Sequence, residues 1–170
     1  ISIAGALGII GPKNGKPSIP SNILADYAGG GMHAALGIMA ALLARVTTGR
    51  GQNVDISMTD GVLSLLTHEA TRYFHSGVVP KPSETRFSGA LPYYNVYETK
   101  DGRYVSVGCN EPWFWENLCK AIGHKELAAK QNAKDEELEL VSATLNQTFK
   151  TRTRDEWIKL FKDSGLAIAA

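Results

Sequence analysis

Hydrophobic and polar positions follow two rhythms along this chain, and the rhythm changes once. From Ile1 to about Met58, apolar residues crowd together with alanine and glycine, and charges are few. After about Ser83 the chain is wetter, rich in charged and aromatic side chains. The change predicts two bodies: residues 1–58 in the first, 59–91 as a linking helix and loop, and 92–170 in the second.

In the first body, residues 11–17 (GPKNGKP) form a loop by their turn chemistry. A helix is predicted from Asn22 or Asp26 to about Thr47. Its apolar positions, Met32, Leu36, Ile38, Met39, Leu42 and Leu43, leave almost no polar face. Such a helix belongs inside a fold or an interface. Gly49 and Gly51 suit its left-handed end. Residues 52–58 (QNVDISM) read as a short buried strand, and helix followed by strand is the rhythm of a parallel α/β layer. The next helix is expected from Gly61 to about His75, capped by Thr59 or Asp60.

In the second body, aromatic and β-branched residues alternate over 93–99 and 103–108 around Asp101-Gly102, which predicts a β-hairpin. Pro112 marks the start of a helix carrying Trp113, Phe114, Trp115, Leu118 and Ile122. Two more helices are expected, from Asp135 to about Lys150 and from Thr153 to about Asp163. The second opens on a capping box, Thr153-Arg154-Asp155-Glu156. The fold class is therefore α/β: the last helix–strand unit of a Rossmann-like large domain, a linker helix, and a small α+β domain.

Composition narrows the partners. Among 170 residues, 18 basic and 17 acidic ones leave a formal charge of +1 with no basic stripe, which argues against a nucleic-acid binder. The two cysteines, Cys109 and Cys119, are too few for a disulfide framework and read as reduced thiols of a cytoplasmic protein. Four histidines lack metal-ligand spacing, and structural roles are expected for them. Both ends of the chain are apolar, unlike ordinary polar termini. The opening run is far too short for the roughly 20 residues of a membrane span. We expect an internal piece of a larger enzyme, unable to complete its reaction alone.

Two carboxylates stand out. Asp26 lies in an apolar stretch just before Gly29, Gly30 and Gly31. Desolvation there would suit a proton acceptor or nucleophile, with glycines admitting a ligand close to the backbone. The plainer reading, a helix cap beside packing glycines, stays open. Glu111 sits where the strand ending at Gly108 hands over to the helix at Pro112, a place for a ligand-directed side chain or for a first-turn acid. Arg86 could pair with a phosphate, whereas Arg72 and Lys81 read as solvated surface.

Four stretches taken in order, 26–31 (DYAGGG), 48–55 (TGRGQNVD), 89–104 (GALPYYNVYETKDGRY) and 108–114 (GCNEPWF), resemble the class III CoA-transferase family of CaiB/BaiF type. Within it they are most similar to the α-methylacyl-CoA racemase branch. The resemblance spans nearly the whole chain. It implies an interlocked homodimer acting on an acyl-CoA thioester, with no metal or redox cofactor and with coenzyme A as part of the substrate. It implies that Asp26 is one of two bases inverting the α-carbon of a 2-methylacyl-CoA, with Tyr27, Gly29, Gly30 and Gly31 beside the substrate. Glu111 matches a glutamate assisting the second base, a histidine that the family places shortly before Ile1. A CoA-transferase would instead use Asp26 as nucleophile and commonly carries a glycine-rich loop in the small domain; residues 89–123 hold no such run. An inert scaffold or dimerisation piece is the third possibility.

Overall fold

The computed structural model describes residues 1–162 and 164–170. They divide into two compact units, Ile1–Glu84 and Thr85–Ala170.

The N-terminal unit is helical. After a short 3-10 turn at Ala6–Ile9, one continuous helix runs in two styles. Its first ten residues, Ile23–Met32, make wide π-type turns, and α1 (His33–Thr48) continues as a regular helix. The Tyr27 N–H reaches back five residues to the Asn22 carbonyl at 3.2 Å. Gly49, at φ 69°, closes α1 in the left-handed cap that the sequence predicts, its N–H bonded to the Arg45 carbonyl.

Glycine explains how the wide segment packs. It lies against α2 (Met58–Leu65), where Gly61 meets Gly29 backbone to backbone. A Cβ added to Gly61 would fall on the Gly29 carbonyl group, and one on Gly29 would lie 2.9 Å from Val62 Cγ2.

Two expectations for this unit are corrected. Residues 52–57 form no strand: Val54 and Ile56 pack instead against Gly37 of α1. Among the described residues of the unit there is no strand to pair with, and a lone strand is not stable in water. The single helix expected over 61–75 is two, α2 and α3 (Thr67–Ser76), and it starts earlier, capped by the Ser57 hydroxyl. At the break, the Ser64 and Thr67 hydroxyls donate to the carbonyls of Gly61 and Ser64, three residues back in each case. Such back-bonding competes with helix propagation.

The unit buries little. No residue of α1 is buried, and Leu36, Leu43 and Val46 stand largely exposed. Among the described residues one helix, Ile23–Thr48, is long and apolar enough to cross a membrane by length and composition. Its glycines nonetheless carry protein contacts, at Gly29, Gly30 and Gly37.

The C-terminal unit is a three-stranded antiparallel sheet backed by helices. β1 (Tyr94–Glu98) and β2 (Tyr104–Gly108) form the predicted hairpin, pairing Tyr94 with Gly108 and Glu98 with Tyr104. Gly102 takes φ 69° at its turn. β3 (Ile168–Ala169) adds to the other edge of β2, an element only two residues long that the hydrophobic pattern does not announce. Along β2, Val105 and Val107 point inward while Tyr104 and Ser106 face out.

The inward face meets α4 (Pro112–Ala121), a 3-10 turn at Lys125–Lys130, α5 (Asp135–Phe149) and α6 (Arg154–Phe161). The expected end of α6 at Asp163 lies outside the described residues. Tyr97, Trp115, Leu118, Leu145, Phe149 and Trp157 fill the core. Its buried polar tips are satisfied: Trp115 Nε1 donates to the Leu127 carbonyl, Trp157 Nε1 to Phe149 and Tyr97 OH to Pro92. Thr153 and Glu156 form the predicted capping box at α6.

Candidate active site

Each unit carries one of the two singled-out carboxylates. Asp26 lies in the first turn of the wide helical segment, where its N–H and that of Tyr27 both reach the Asn22 carbonyl. Its side chain makes no hydrogen bond or ion pair among the described residues. Asp26 and Tyr27 are both exposed, so the desolvation expected for Asp26 is not supplied by its own unit. The glycines that follow differ from one another. Gly29 is buried against α2, and a Cβ on Gly30 would lie 3.0 Å from Met58 Cγ; both serve close packing. Gly31 is exposed, with only the Asp26 carbonyl within reach of an added Cβ, at 3.5 Å.

His33, two turns beyond Asp26, is held by the fold. Its Nδ1 lies 2.7 Å from the Ala28 carbonyl, which can only accept, so Nδ1 donates. Nε2 lies 3.1 Å from Ser64 Oγ. His33 thus ties the wide helical segment to α2 through Ala28 and Ser64.

Glu111 occupies the N-cap position of α4 in extended conformation, φ −75° and ψ 142°. Its carbonyl accepts the Trp115 N–H at 3.0 Å, while its carboxylate makes no capping bond. The side chain is half-buried and has no hydrogen-bond or ion-pair partner among the described residues. Most carboxylates of this unit are spent on structure. Asp101 accepts from Thr99 Oγ1 and the Arg154 N–H, and the Thr99 bond is the leading reason its carboxyl is held below the usual range. Glu126 pairs with His124, and Glu156 closes the capping box. Glu111 is not committed in this way.

A groove of about 690 Å³ opens on the outward face of the sheet, lined chiefly by Phe87, Tyr94, Val96, Leu166 and Ile168. Its far wall is β3 and the residues before it, so a reading of the hairpin alone misses it. Among the described residues no three His, Cys, Asp or Glu side chains gather to hold a metal ion. Arg86, weighed as a phosphate partner, donates through Nε to Asn110 Oδ1 at 3.0 Å, and Arg72 pairs with Glu69 at 3.2 Å.

The sequence profile of CoA-transferase family III matches residues 1–170. This chain belongs to that family. Among its relatives, human α-methylacyl-CoA racemase is 33% identical over 162 residues, covering 95% of this chain and 42% of the relative. A CaiB/baiF CoA-transferase family protein of Caenorhabditis elegans is 36% identical over 166 residues, covering 95% and 46%. Human succinyl-CoA:glutarate CoA-transferase is 29% identical over 171 residues, covering 97% and 38%. A crystal structure of a hypothetical protein from Mycobacterium tuberculosis superposes with a TM-score of 0.76 at 25% identity, over 99% of this chain and 45% of that one. The family III chain thus spans less than half the length of the curated relatives it matches. Its family is enzymatic and includes both racemases and CoA-transferases.

Proposed function

We propose that the complete protein racemises the α-carbon of 2-methylacyl-CoA thioesters through an enolate, with Asp26 as one of two bases. The observation that carries this reading is an exposed carboxylate with no hydrogen-bond or ion-pair partner, at the wide-turn start of a long helix, in a chain similar over 95% of its length to a racemase. The α-proton of a thioester is weakly acidic, so removing it requires a base placed at the carbon and donors at the developing oxyanion. An Asp26 oxygen takes the proton from one face, and the C–H electron pair passes into the enolate. A proton delivered to the opposite face then completes inversion.

The second base is the histidine that the family resemblance places ahead of Ile1, with Glu111 assisting it. The uncommitted Glu111 carboxylate supports that role. Tyr27 and Gly31, exposed beside Asp26, would line the substrate. The apolar groove on the sheet would take the acyl chain. No cofactor beyond the substrate's own coenzyme A, an interlocked homodimer and a cytoplasmic setting complete the proposal. In it the apolar face of α1 is covered by protein, the use for which its glycine-notched contacts are suited.

The competing reading is a CoA-transferase in which Asp26 attacks the thioester and forms an acyl-aspartyl anhydride. Curated CoA-transferase relatives favour it. The isolated glycines of residues 89–123 argue against it. Incubation of the complete protein with acyl-CoA and hydroxylamine separates the two. Racemisation predicts an unmodified Asp26 by peptide mass spectrometry; a hydroxamate at Asp26 would establish the transferase.

A further inference from the structure

The Glu111 carboxylate is uncommitted, but the backbone around it is held in place. The connection from β2 to α4 is short, from Gly108 to Pro112, and it is fixed from three directions. The Gly108 N–H donates to the Ala167 carbonyl at 2.8 Å, ahead of β3. Gln131 Nε2 donates to the Asn110 carbonyl at 2.9 Å, from the end of the 3-10 turn. Arg86 Nε donates to the Asn110 side chain at 3.0 Å, from the segment before the sheet.

Each bond constrains a different degree of freedom. The Asn110 carbonyl belongs to the peptide plane that joins Asn110 to Glu111, so the Gln131 bond sets the rotation of that plane. A rotated plane would swing the Glu111 Cα–Cβ bond, since the peptide is rigid and ψ of Asn110 and φ of Glu111 are the soft hinges. The Arg86 bond holds the Asn110 side chain. Arg86 is itself steadied, its guanidinium 5.7 Å from the centre of the Phe87 ring, and Phe87 meets Tyr94 edge-on at 5.2 Å. On the other side, Pro112 has no N–H and a fixed φ, and the Glu111 carbonyl starts α4.

We propose that Gln131 and Arg86 are positioning residues for Glu111: they fix the Asn110–Glu111 peptide, and through it the direction of the carboxylate. The inference rests on the assignment of Glu111 to the reaction. Neither residue touches the reacting atoms. Neither is signalled by a local motif, because Gln131 lies 21 positions and Arg86 24 positions from Asn110.

The test uses the complete protein and four variants, Gln131→Met, Arg86→Lys, Glu111→Gln and the Gln131→Met/Glu111→Gln double. Gln131→Met keeps length and bulk and removes the donor; thermal midpoints report whether each variant is folded. Misplacement of a catalytic group costs up to about 100-fold. Gln131→Met is therefore expected to lower kcat by about 10- to 100-fold with KM changed less than about twofold, and Arg86→Lys by a smaller factor in the same direction. In the Glu111→Gln background, Gln131→Met is expected to cost nothing more, because the group it positions is already gone. Equal losses from Gln131→Met in both backgrounds, or a kcat unchanged by it, would overturn the proposal while leaving Glu111 in place. Full activity in Glu111→Gln would remove the underlying assignment, and the positioning role with it.

Discussion

Cys109 and Cys119 lie fully buried in the core of the C-terminal unit, and burial pushes their thiols up to about 11 and about 12. The neighbouring Glu111 charge adds to the rise at Cys109. Both thiols are thus neutral and shielded at ordinary pH, and iodoacetamide should leave them unmodified until the unit unfolds. The folded pKa lies above the ordinary 9.0, so the contribution to stability is full below pH 9 and is lost as pH rises through about 11. Denaturant unfolding between pH 8 and 11 should show falling stability, less steeply in Cys109→Ala; an identical slope in the variant would contradict this. In the sequence, Asp26 and Glu111 each stand out as a lone carboxylate in a distinctive setting. The exposure of Asp26 is not legible there, since desolvation depends on surfaces the local sequence does not contain. Asn110 and Gln131 were also invisible, their bond being a matter of tertiary position.

Four local signals shape their elements as the sequence predicts, although the cap expected at Thr59 or Asp60 falls at Ser57. The Asp101-Gly102 turn, the Pro112 start, the Gly49 cap and the Thr153–Glu156 box each specify their own geometry within four residues. Where pairing is non-local the pattern misleads. Residues 52–57 carry a strand's composition without a partner, and β3 pairs through only two residues. The glycines before α1 show the same division: their clustering is plain in sequence, but only the fold shows that Gly29 meets Gly61. Gly61→Ala should therefore destabilise the protein by about 1–3 kcal/mol, because its Cβ meets backbone that cannot rotate away. Gly31→Ala, whose Cβ would make only ordinary contact, should be neutral or slightly stabilising, since alanine is the better helix former. Thermal denaturation of both decides it; equal midpoints would refute the packing account.

Across the whole chain the two units are unequally built. The C-terminal unit buries a continuous core of aromatic and aliphatic side chains, whereas the N-terminal cluster is Ala4, Ala6 and Val62 with a few partly buried neighbours. Burying a large aliphatic side chain contributes about 1.5–3 kcal/mol, and α1 forgoes that at Leu36, Leu42, Leu43 and Val46. In the 170-residue chain alone, amide hydrogen exchange should be slow in β2, α4 and α5 and fast through α1. In the complete protein α1 should become protected, as it would if its apolar face were covered. Comparable protection of α1 in both would show that the helix needs no cover.

Proton transfer by the Asp26 carboxylate at the α-carbon is read out as deuterium uptake at that carbon when the complete protein acts on the R and S epimers of a 2-methylacyl-CoA in heavy water. The unmodified protein should incorporate deuterium and interconvert both epimers. Asp26→Asn should slow interconversion by at least about 100-fold, the scale of a lost general base, and should exchange one epimer far more slowly than the other. Interconversion at an unchanged rate in Asp26→Asn, or turnover of acyl-CoA by the unmodified protein without deuterium at the α-carbon, would rule out Asp26 as the base.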